Sequence, residues 1–346
     1  MVSREVCARN VAVVDDATKL RLPGGRRLGY AECGDPNGRA LVYLHGFPGS
    51  RLAGRVLDET ARARGVRVLA PERPGLGVSS PQSDRTLLDT ARDVRALAEA
   101  LQIGPFAVLG ESGGGPYALA CAHELADCLD SVAVVCGLGP IGCPGATDGI
   151  ALKERIGYAV ATRAPLLACH TLVPVAAWAR RRPRQFLRVT RWQLGEADRE
   201  VLNGPLGDLV AADFAEAFRQ GSRGVAQDLA LLFRPWPFDP GAIHVPVVFF
   251  HGARDRTVAV AVARQLTRAV PGSRLRVYEQ HGHFSLLARS ALDILEGTLV
   301  LRETVPAFPP RSDSRPPGTP RLPMPCLRRR RHRFGAAALF SYCRRV

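Results

Sequence analysis

Three residues of the types that carry out acyl transfer occur in the order serine, aspartate, histidine. Ser112 is the centre of Gly-Glu-Ser-Gly-Gly at 110–114, Asp255 ends a His-Gly-Ala-Arg-Asp segment, and His283 follows a glycine. A serine hydroxyl becomes a nucleophile when a base takes its proton and a third group orients that base. The sequence therefore offers one candidate for each of these three roles.

Other histidines compete for the role of base. His281 lies two residues before His283, but a turn histidine followed directly by a helix fits the role better, so we favour His283. His45 and His251 each precede a glycine at the end of a predicted strand. We interpret these two as hydrogen-bonding residues that stabilise turns.

Other acids compete with Asp255. Asp228 and Asp239 could orient the histidine, yet neither follows a predicted strand of the core. Glu111, beside the serine, is assigned no role beyond its effect on the local electrostatic field. Asp255 is therefore the preferred acid.

The serine lies in a predicted strand–turn–helix unit. An apolar run at 106–109 leads into the glycine-rich turn, and an alanine-rich helical pattern follows directly. A serine at the apex of such a turn has strained backbone geometry, and the flanking glycines avoid Cβ clashes where strand and helix cross. The hydroxyl is thereby lifted clear of the sheet.

Short apolar strands alternate with helices along most of the chain, which predicts a mostly parallel sheet with helices on both faces. Each candidate residue lies where a predicted strand ends, at the edge where open α/β sheets place their sites. The predicted strands are 18–22, 27–33, 40–44, 66–70, 106–109, 131–137, 245–250 and 275–278, and the predicted helices are 51–64, 85–101, 258–270 and 284–301.

The strand pattern is interrupted between residues 139 and 238, where the periodicity is helical and all three tryptophans lie. We interpret this segment as an inserted helical cap. Its most apolar stretch, 164–179, is too short for a bilayer span and contains two prolines. The predicted organisation is a core formed by 1–138 and 239–305, a cap at 139–238 and a tail at 306–346.

The net charge of +15 invites a nucleic-acid-binding function, but the charge is unevenly distributed. Residues 306–346 contain ten arginines against one acid, a charge of +9, which leaves 15 − 9 = +6 for the rest. The tail lacks interleaved aromatic residues that stack bases. We expect a disordered tail without a specific nucleic-acid partner.

The first ten residues carry charges and no apolar core segment, and the nine cysteines contain no Cys-X-X-Cys pair. These features predict a cytoplasmic protein with reduced thiols and without a metal ion. No signal points to a cofactor. The sequence leaves the oligomeric state open.

Four motifs together resemble those of the α/β-hydrolase fold, in its capped, esterase-like group, over residues 15–303. They are His-Gly-Phe-Pro-Gly at 45–49, Arg-Pro-Gly-Leu-Gly-Val-Ser at 73–79, the serine turn at 110–114, and the acid and histidine turns at 252–255 and 282–283. The resemblance implies an eight-stranded sheet. Ser112, His283 and Asp255 then become the triad, and the backbone N–H groups of Phe47 and Gly113 form the oxyanion hole.

The resemblance implies a serine hydrolase that cleaves a small apolar ester or related acyl compound. Dehalogenases and most epoxide hydrolases of this fold use an aspartate at the apex, where this chain has Ser112. Prolyl aminopeptidases usually have a tryptophan after the serine, where this chain has Gly113. Hydrolysis of carbon–carbon bonds, lactones or aminoacyl compounds, and a weakly catalytic ligand receptor, remain alternatives.

Overall fold

The computed structural model describes residues 18–140, 160 and 162–299. The chain divides into two units, Met1–Ala307 and Phe308–Val346, and every described residue belongs to the first. The interpretations of the first ten residues and of the tail at 306–346 lie outside the described residues, as does the part of the predicted cap at 141–159.

The described strands number eight, as predicted, and their boundaries differ from the predicted ones by one or two residues at most ends. They are β1 (Thr18–Arg21), β2 (Arg27–Gly34), β3 (Arg39–Leu44), β4 (Val66–Pro71), β5 (Phe106–Glu111), β6 (Leu129–Val135), β7 (Val247–Gly252) and β8 (Arg274–Tyr278).

Ten α-helices lie within the described residues. Those of the core are α1 (Asp58–Ala63), α2 (Leu87–Ala100), α3 (Gly115–Glu124), α9 (Val260–Ala269) and α10 (His283–Leu299). Those between β6 and β7, which we call the cap helices, are α4 (Pro165–Arg181), α5 (Pro183–Thr190), α6 (Glu196–Val201), α7 (Pro205–Ala217) and α8 (Arg223–Leu232).

The segment predicted as one helix at 51–64 consists of two consecutive helices of different kinds. Arg51–Leu57 forms a 3₁₀ helix that begins where the Ser50 side chain accepts the N–H of Leu52, and α1 follows it. The periodicity of the apolar residues is too similar in the two kinds of helix to separate them over so short a segment.

The strands form one sheet in the order β1-β2-β4-β3-β5-β6-β7-β8. The two pairings of β2 are antiparallel, and all pairings from β4 to β8 are parallel. Parallel neighbours need crossover connections, which the helices supply. The predicted α/β-hydrolase architecture, a mostly parallel eight-stranded sheet, is confirmed.

Alternate residues of the central strands enter two different apolar clusters. In β3, Val42 and Leu44 pack with residues of α2 and α3, whereas Leu41 and Tyr43 pack with residues of α1 and α10. This alternation is the consequence of a strand that is covered by helices on both faces. The sheet is thus held rigidly, and its strand ends are fixed relative to one another.

Candidate active site

The serine turn joins β5 to α3 through left-handed backbone. Ser112 has φ of 50°, a conformation that side-chain-bearing residues rarely adopt. A Cβ on Gly110 would lie 2.5 Å from the carbonyl oxygen of Gly114, and one on Gly114 would lie 2.0 Å from that of Leu44. Both glycines are therefore required by the close approach of β3, β5 and α3.

Ser112, His283 and Asp255 come together in the order that acyl transfer needs. The Nε2 atom of His283 lies 3.0 Å from the Oγ of Ser112, and its Nδ1 atom lies 2.7 Å from the Oδ2 of Asp255. The side chains of His283 and Asp255 are buried. With Nδ1 donating to the carboxylate, Nε2 is free to accept the proton of the serine.

Asp255 is held in place by its own turn. Its Oδ1 accepts the backbone N–H groups of Thr257 at 2.7 Å and of Val258 at 2.9 Å, which leaves Oδ2 for the histidine. Burial disfavours the charged carboxylate, but His283, His251 and the N–H of Val258 together outweigh burial and lower the pKa of Asp255. Asp255 is thus a carboxylate at neutral pH.

The imidazole of His283 experiences opposing influences. Burial disfavours the charged imidazolium, but the Asp255 carboxylate outweighs it, with smaller contributions from Glu111 and Asp198, and raises the pKa of His283 to about 9. The site therefore favours a positive charge on this imidazole.

The predicted oxyanion loop lies beside the serine. A Cβ on Gly46 would be 3.5 Å from the Cβ of Ser112, and one on Gly113 would be 3.1 Å from the backbone N of Phe47. The Phe47 N–H donates no hydrogen bond to any part of the chain that the structure describes. An unpaired N–H next to a nucleophile is available to an oxyanion.

The predicted oxyanion loop is held by a buried arginine. Arg73 donates to the carbonyl oxygens of His45 at 2.6 Å and of Gly46 at 2.8 Å, and its Nε bonds the Asp228 carboxylate. Asp228 also accepts from Arg85 at 2.9 Å and from the Tyr117 hydroxyl at 2.6 Å.

This cluster removes Asp228 from the competition for the triad. Its carboxylate is buried, which disfavours the charge, but Arg73 and Arg85 outweigh burial and hold its pKa well below the ordinary value. The other competing acid, Asp239, lies at the start of a 3₁₀ helix and accepts the N–H of Gly241. Neither residue bonds His283.

None of the three competing histidines bonds Ser112 within the described residues, although the Nε2 of His251 lies 3.6 Å from the Oδ2 of Asp255. His45 is buried, with Nδ1 3.0 Å from the carbonyl oxygen of Gly46, and His251 is buried, with Nε2 2.9 Å from the carbonyl oxygen of Val258. His281 packs against the ring of Tyr278. Their contacts fit the interpretation of His45 and His251 as turn-stabilising residues.

A cavity with a volume of about 60 Å³ opens beside Ser112 and His283. Its walls are mostly apolar and come from both the core and cap helix α7. Two acids also line it, Glu111 and Asp213. The lining residues are Gly46, Phe47, Pro48, Ala53, Val56, Glu111, Ser112, Leu206, Leu209, Val210, Asp213, Phe214, His283, Phe284 and Leu287.

Three acids contact or line the site, of which the sequence analysis considered Glu111, for its electrostatic effect alone, and missed Asp198 and Asp213. Glu111 accepts a hydrogen bond from the Tyr43 hydroxyl, Asp213 accepts from Ser50, and Asp198 accepts from the backbone at His283. Burial raises the pKa of Glu111, and raises that of Asp213 to about 7. The helical periodicity of the cap carried no signal for Asp198 or Asp213, because both lie in segments otherwise read as ordinary helix.

One group of metal-ligand type, Cys136 with Asp255 and His283, has its donor atoms within 4.8 Å of one another. The Cys136 thiol is buried, which raises its pKa well above the ordinary value, and the Nε2 of His283 is already 3.0 Å from the Oγ of Ser112. The other two residues bond each other. The described residues therefore favour a hydrogen-bonded triad over a metal centre at this position.

Comparison with known proteins gives the family. Residues 39–289 match the model of the alpha/beta hydrolase fold, so the chain belongs to this family. The chain is 19% identical to an esterase from Exiguobacterium antarcticum, with a TM-score of 0.60 over 81% of this chain and 97% of the esterase. That likeness supports the fold.

Two relatives are similar in sequence. ABHD8 from Mus musculus is 24% identical over 254 residues, 71% of this chain and 51% of ABHD8, so the chain spans about half the length of that relative. A proline iminopeptidase from Xylella fastidiosa is 35% identical over 110 residues, 30% of this chain and 34% of the peptidase.

None of the helices within residues 18–140 and 162–299 combines the length and apolar character that a bilayer crossing requires.

Proposed function

We propose that the protein is a serine hydrolase that cleaves an ester or related acyl compound through an acyl-enzyme. The observation that carries this proposal is the continuous chain of contacts from Ser112 through His283 to Asp255, at 3.0 and 2.7 Å. Membership of the alpha/beta hydrolase family and likeness to an esterase support the same activity.

In the proposed first half-reaction, the Oγ of Ser112 attacks the carbonyl carbon while Nε2 of His283 takes the hydroxyl proton. The oxyanion that forms is bound by the backbone N–H groups of Phe47 and Gly113. Asp255 stabilises the imidazolium. When the bond from the carbonyl carbon to the leaving oxygen breaks, His283 returns the proton to the leaving group, and the acyl group stays on Ser112.

In the second half-reaction, water attacks the acyl-enzyme. His283 takes a proton from the water, the acid product forms, and the Ser112 oxygen regains its proton from His283. The apolar wall of the cavity accommodates the body of a small apolar acyl compound and limits the entry of further water. In this scheme His283 carries the proton and Ser112 carries the acyl group.

The test is hydrolysis by purified protein of a panel containing short-chain aryl esters, lactones, β-diketones and aminoacyl amides. We expect at least one ester to be cleaved, with turnover in Ser112→Ala lower by about four to six orders of magnitude. Equal turnover by wild type and Ser112→Ala would refute the proposal. Because removal of a hydroxyl leaves the backbone of the serine turn intact, the two proteins should show matching thermal unfolding.

A further inference from the structure

Helix α10 begins at His283 without a capping side chain from its own segment. The first four N–H groups of an α-helix have no partner within it, and a side chain just before the helix usually accepts one of them. Here the preceding residue is Gly282, whose N–H donates to the Oγ of Ser285 at 2.8 Å. The next three N–H groups need an acceptor from another part of the chain.

That acceptor is Asp198, in cap helix α6. Its Oδ2 accepts the N–H of His283 at 2.9 Å, and its Oδ1 accepts the N–H groups of Phe284 at 3.0 Å and Ser285 at 2.9 Å. Oδ1 also accepts the Ser285 hydroxyl at 2.8 Å. Asp198 is fully buried, and a carboxylate is favoured by the positive end of the helix dipole.

Gly282 and Asp198 are complementary. A Cβ on Gly282 would lie 2.4 Å from the Oδ2 of Asp198, so the missing side chain at 282 makes room for the carboxylate of the cap. Asp198 of helix α6 therefore takes the place of a local side chain that would accept the first N–H groups of α10. One of these N–H groups belongs to His283 itself.

We propose that Asp198 is a positioning residue for His283, through which the cap sets the geometry of the triad. The inference rests on the proposed function. The backbone of His283 determines where its Nε2 meets the Oγ of Ser112, and a misplacement of about 1 Å at a reacting centre lowers turnover about 100-fold. Asp198 fixes that backbone at the first turn of the helix.

The test compares Asp198→Ala and Asp198→Asn with Glu200→Gln. Glu200 lies in the same helix and also contacts α10, through an exposed ion pair with Arg289 at 2.8 Å. We expect Asp198→Ala to lower kcat about 100-fold on an ester that the wild type cleaves, with a smaller change in KM. Glu200→Gln should keep wild-type kcat, because an exposed pair contributes little.

Two further measurements separate positioning from general stability. Asp198→Asn removes a negative charge near His283, so the acidic limb of kcat/KM should move to lower pH. In Asp198→Ala, adding Gly282→Ser supplies a local capping hydroxyl in the space that the carboxylate leaves, and kcat should rise at least tenfold above the single variant. Wild-type kcat and pH profile in both Asp198 variants would overturn the proposal.

A further outcome is that Asp198→Ala loses activity only in proportion to its unfolded fraction, while the acidic limb of kcat/KM in Asp198→Asn stays at the wild-type pH. In that case the role of Asp198 is structural and the proposal also fails. These outcomes differ from failure of the proposed function, in which Ser112→Ala itself would remain active.

A second observation concerns a carboxylate oxygen in the cavity wall. Asp213, in cap helix α7, is 5% exposed and lines the cavity with Ser112. Its Oδ1 accepts the N–H and hydroxyl of Ser50 at 2.8 and 2.6 Å. Its Oδ2 accepts no hydrogen bond from residues 18–140, 160 or 162–299.

The lining of the cavity also contains two acids. Glu111 supplies a second carboxyl group, and the lining residues that the structure describes include neither lysine nor arginine. Because Asp213 lines the cavity, its Oδ2 can accept a hydrogen bond from a ligand that brings a donor. A ligand that brings a carboxylate would be repelled at a pH at which these acids are ionised.

We infer that Asp213 forms a subsite for a hydrogen-bond donor, an amino or hydroxyl group, carried by the acyl substrate. This inference names a substrate class for the proposed function and rests on it. An otherwise apolar substrate would be oriented by this single polar contact, while its scissile carbonyl meets Ser112.

The test uses nitrophenyl esters of equal acyl length that end in methyl, hydroxyl, ammonium or carboxylate. We expect the wild type to prefer the hydroxyl or ammonium ester over the methyl ester by about tenfold in kcat/KM, and to cleave the carboxylate ester least. Asp213→Asn should lose the preference for ammonium. The control is Asp208→Asn, because Asp208 lies in the same helix and forms an exposed pair with Arg184.

A wild type that cleaves the methyl ester best, with the same order in Asp213→Asn, would overturn the subsite while leaving the hydrolase in place. If no ester of the series is cleaved in a Ser112-dependent way, the proposed function fails instead.

Discussion

The Oγ of Ser112 lies 3.0 Å from the Nε2 of His283, although 171 residues separate them in sequence. The first residue is positioned by the β5–α3 turn, and the second by the first turn of α10, which follows β8. Both turns lie at the same edge of the parallel sheet. The rigid sheet therefore brings together two side chains that neither local segment could position relative to the other.

The protonation of His283 should control the rate. Because a general base must be neutral, and because the Asp255 carboxylate outweighs burial and raises the pKa of His283 to about 9, kcat/KM should increase with pH up to about 9. A pH series on a neutral ester measures this. A profile that is flat between pH 6 and 9 would contradict a raised pKa for His283.

The glycine at 114 should be required for folding. A Cβ there would fall 2.0 Å from the carbonyl oxygen of Leu44, so Gly114→Ala forces a strand and a helix apart, and we expect the yield of folded protein to collapse. Gly104→Ala is the matched control, because a Cβ at 104 meets nothing within 4 Å. Circular dichroism and urea unfolding compare the two, and similar stability would be inconsistent with this packing.

Asp228 should contribute strongly to stability. Asp228→Ala leaves Arg73 and Arg85 without their shared carboxylate in a buried site, which should lower the free energy of unfolding by about 3–5 kcal/mol. Asp127→Ala breaks an exposed pair with Arg95 and should lower it by at most about 1 kcal/mol. Urea denaturation of both variants measures the difference, which should vanish if the Asp228 cluster is unimportant.

Phe47 should influence binding more than chemistry. Its side chain lines the cavity, whereas its proposed catalytic contribution is a backbone N–H. Phe47→Ala should therefore raise KM for a short apolar ester about tenfold and change kcat less, since the backbone N–H remains while the cavity wall is altered. Steady-state kinetics tests this. A loss confined to kcat would instead assign the side chain to the chemical step.

The fold was predictable because its signals are local. Short apolar runs that end at Leu44, Glu111 and Gly252 repeat between helical patterns, and glycines mark the turns where β3, β5 and α3 meet. These signals depend on a few neighbouring residues. The proximity of Ser112, Asp255 and His283 was predictable for the same reason, because each lies in or beside a glycine-containing turn that follows a strand.

The contributions of the cap were not predictable. Asp198 and Asp213 act through contacts with residues 85 and 163 positions away, and helical periodicity places them no differently from solvent-exposed acids. Arg73 was part of a recognised motif, but its bonds to the oxyanion loop and Asp228 depend on tertiary packing. Such contacts are determined by how the cap helices pack on the core, which no short stretch of sequence encodes.

Ser112 is the proposed nucleophile, and covalent labelling tests this role most directly. Folded wild-type protein should react with a fluorophosphonate probe at one site, which mass spectrometry of the digested protein should locate at Ser112. Ser112→Ala should remain unlabelled, and His283→Ala should react far more slowly. Absence of an adduct on folded wild type, or an adduct of equal yield in Ser112→Ala, would contradict the account.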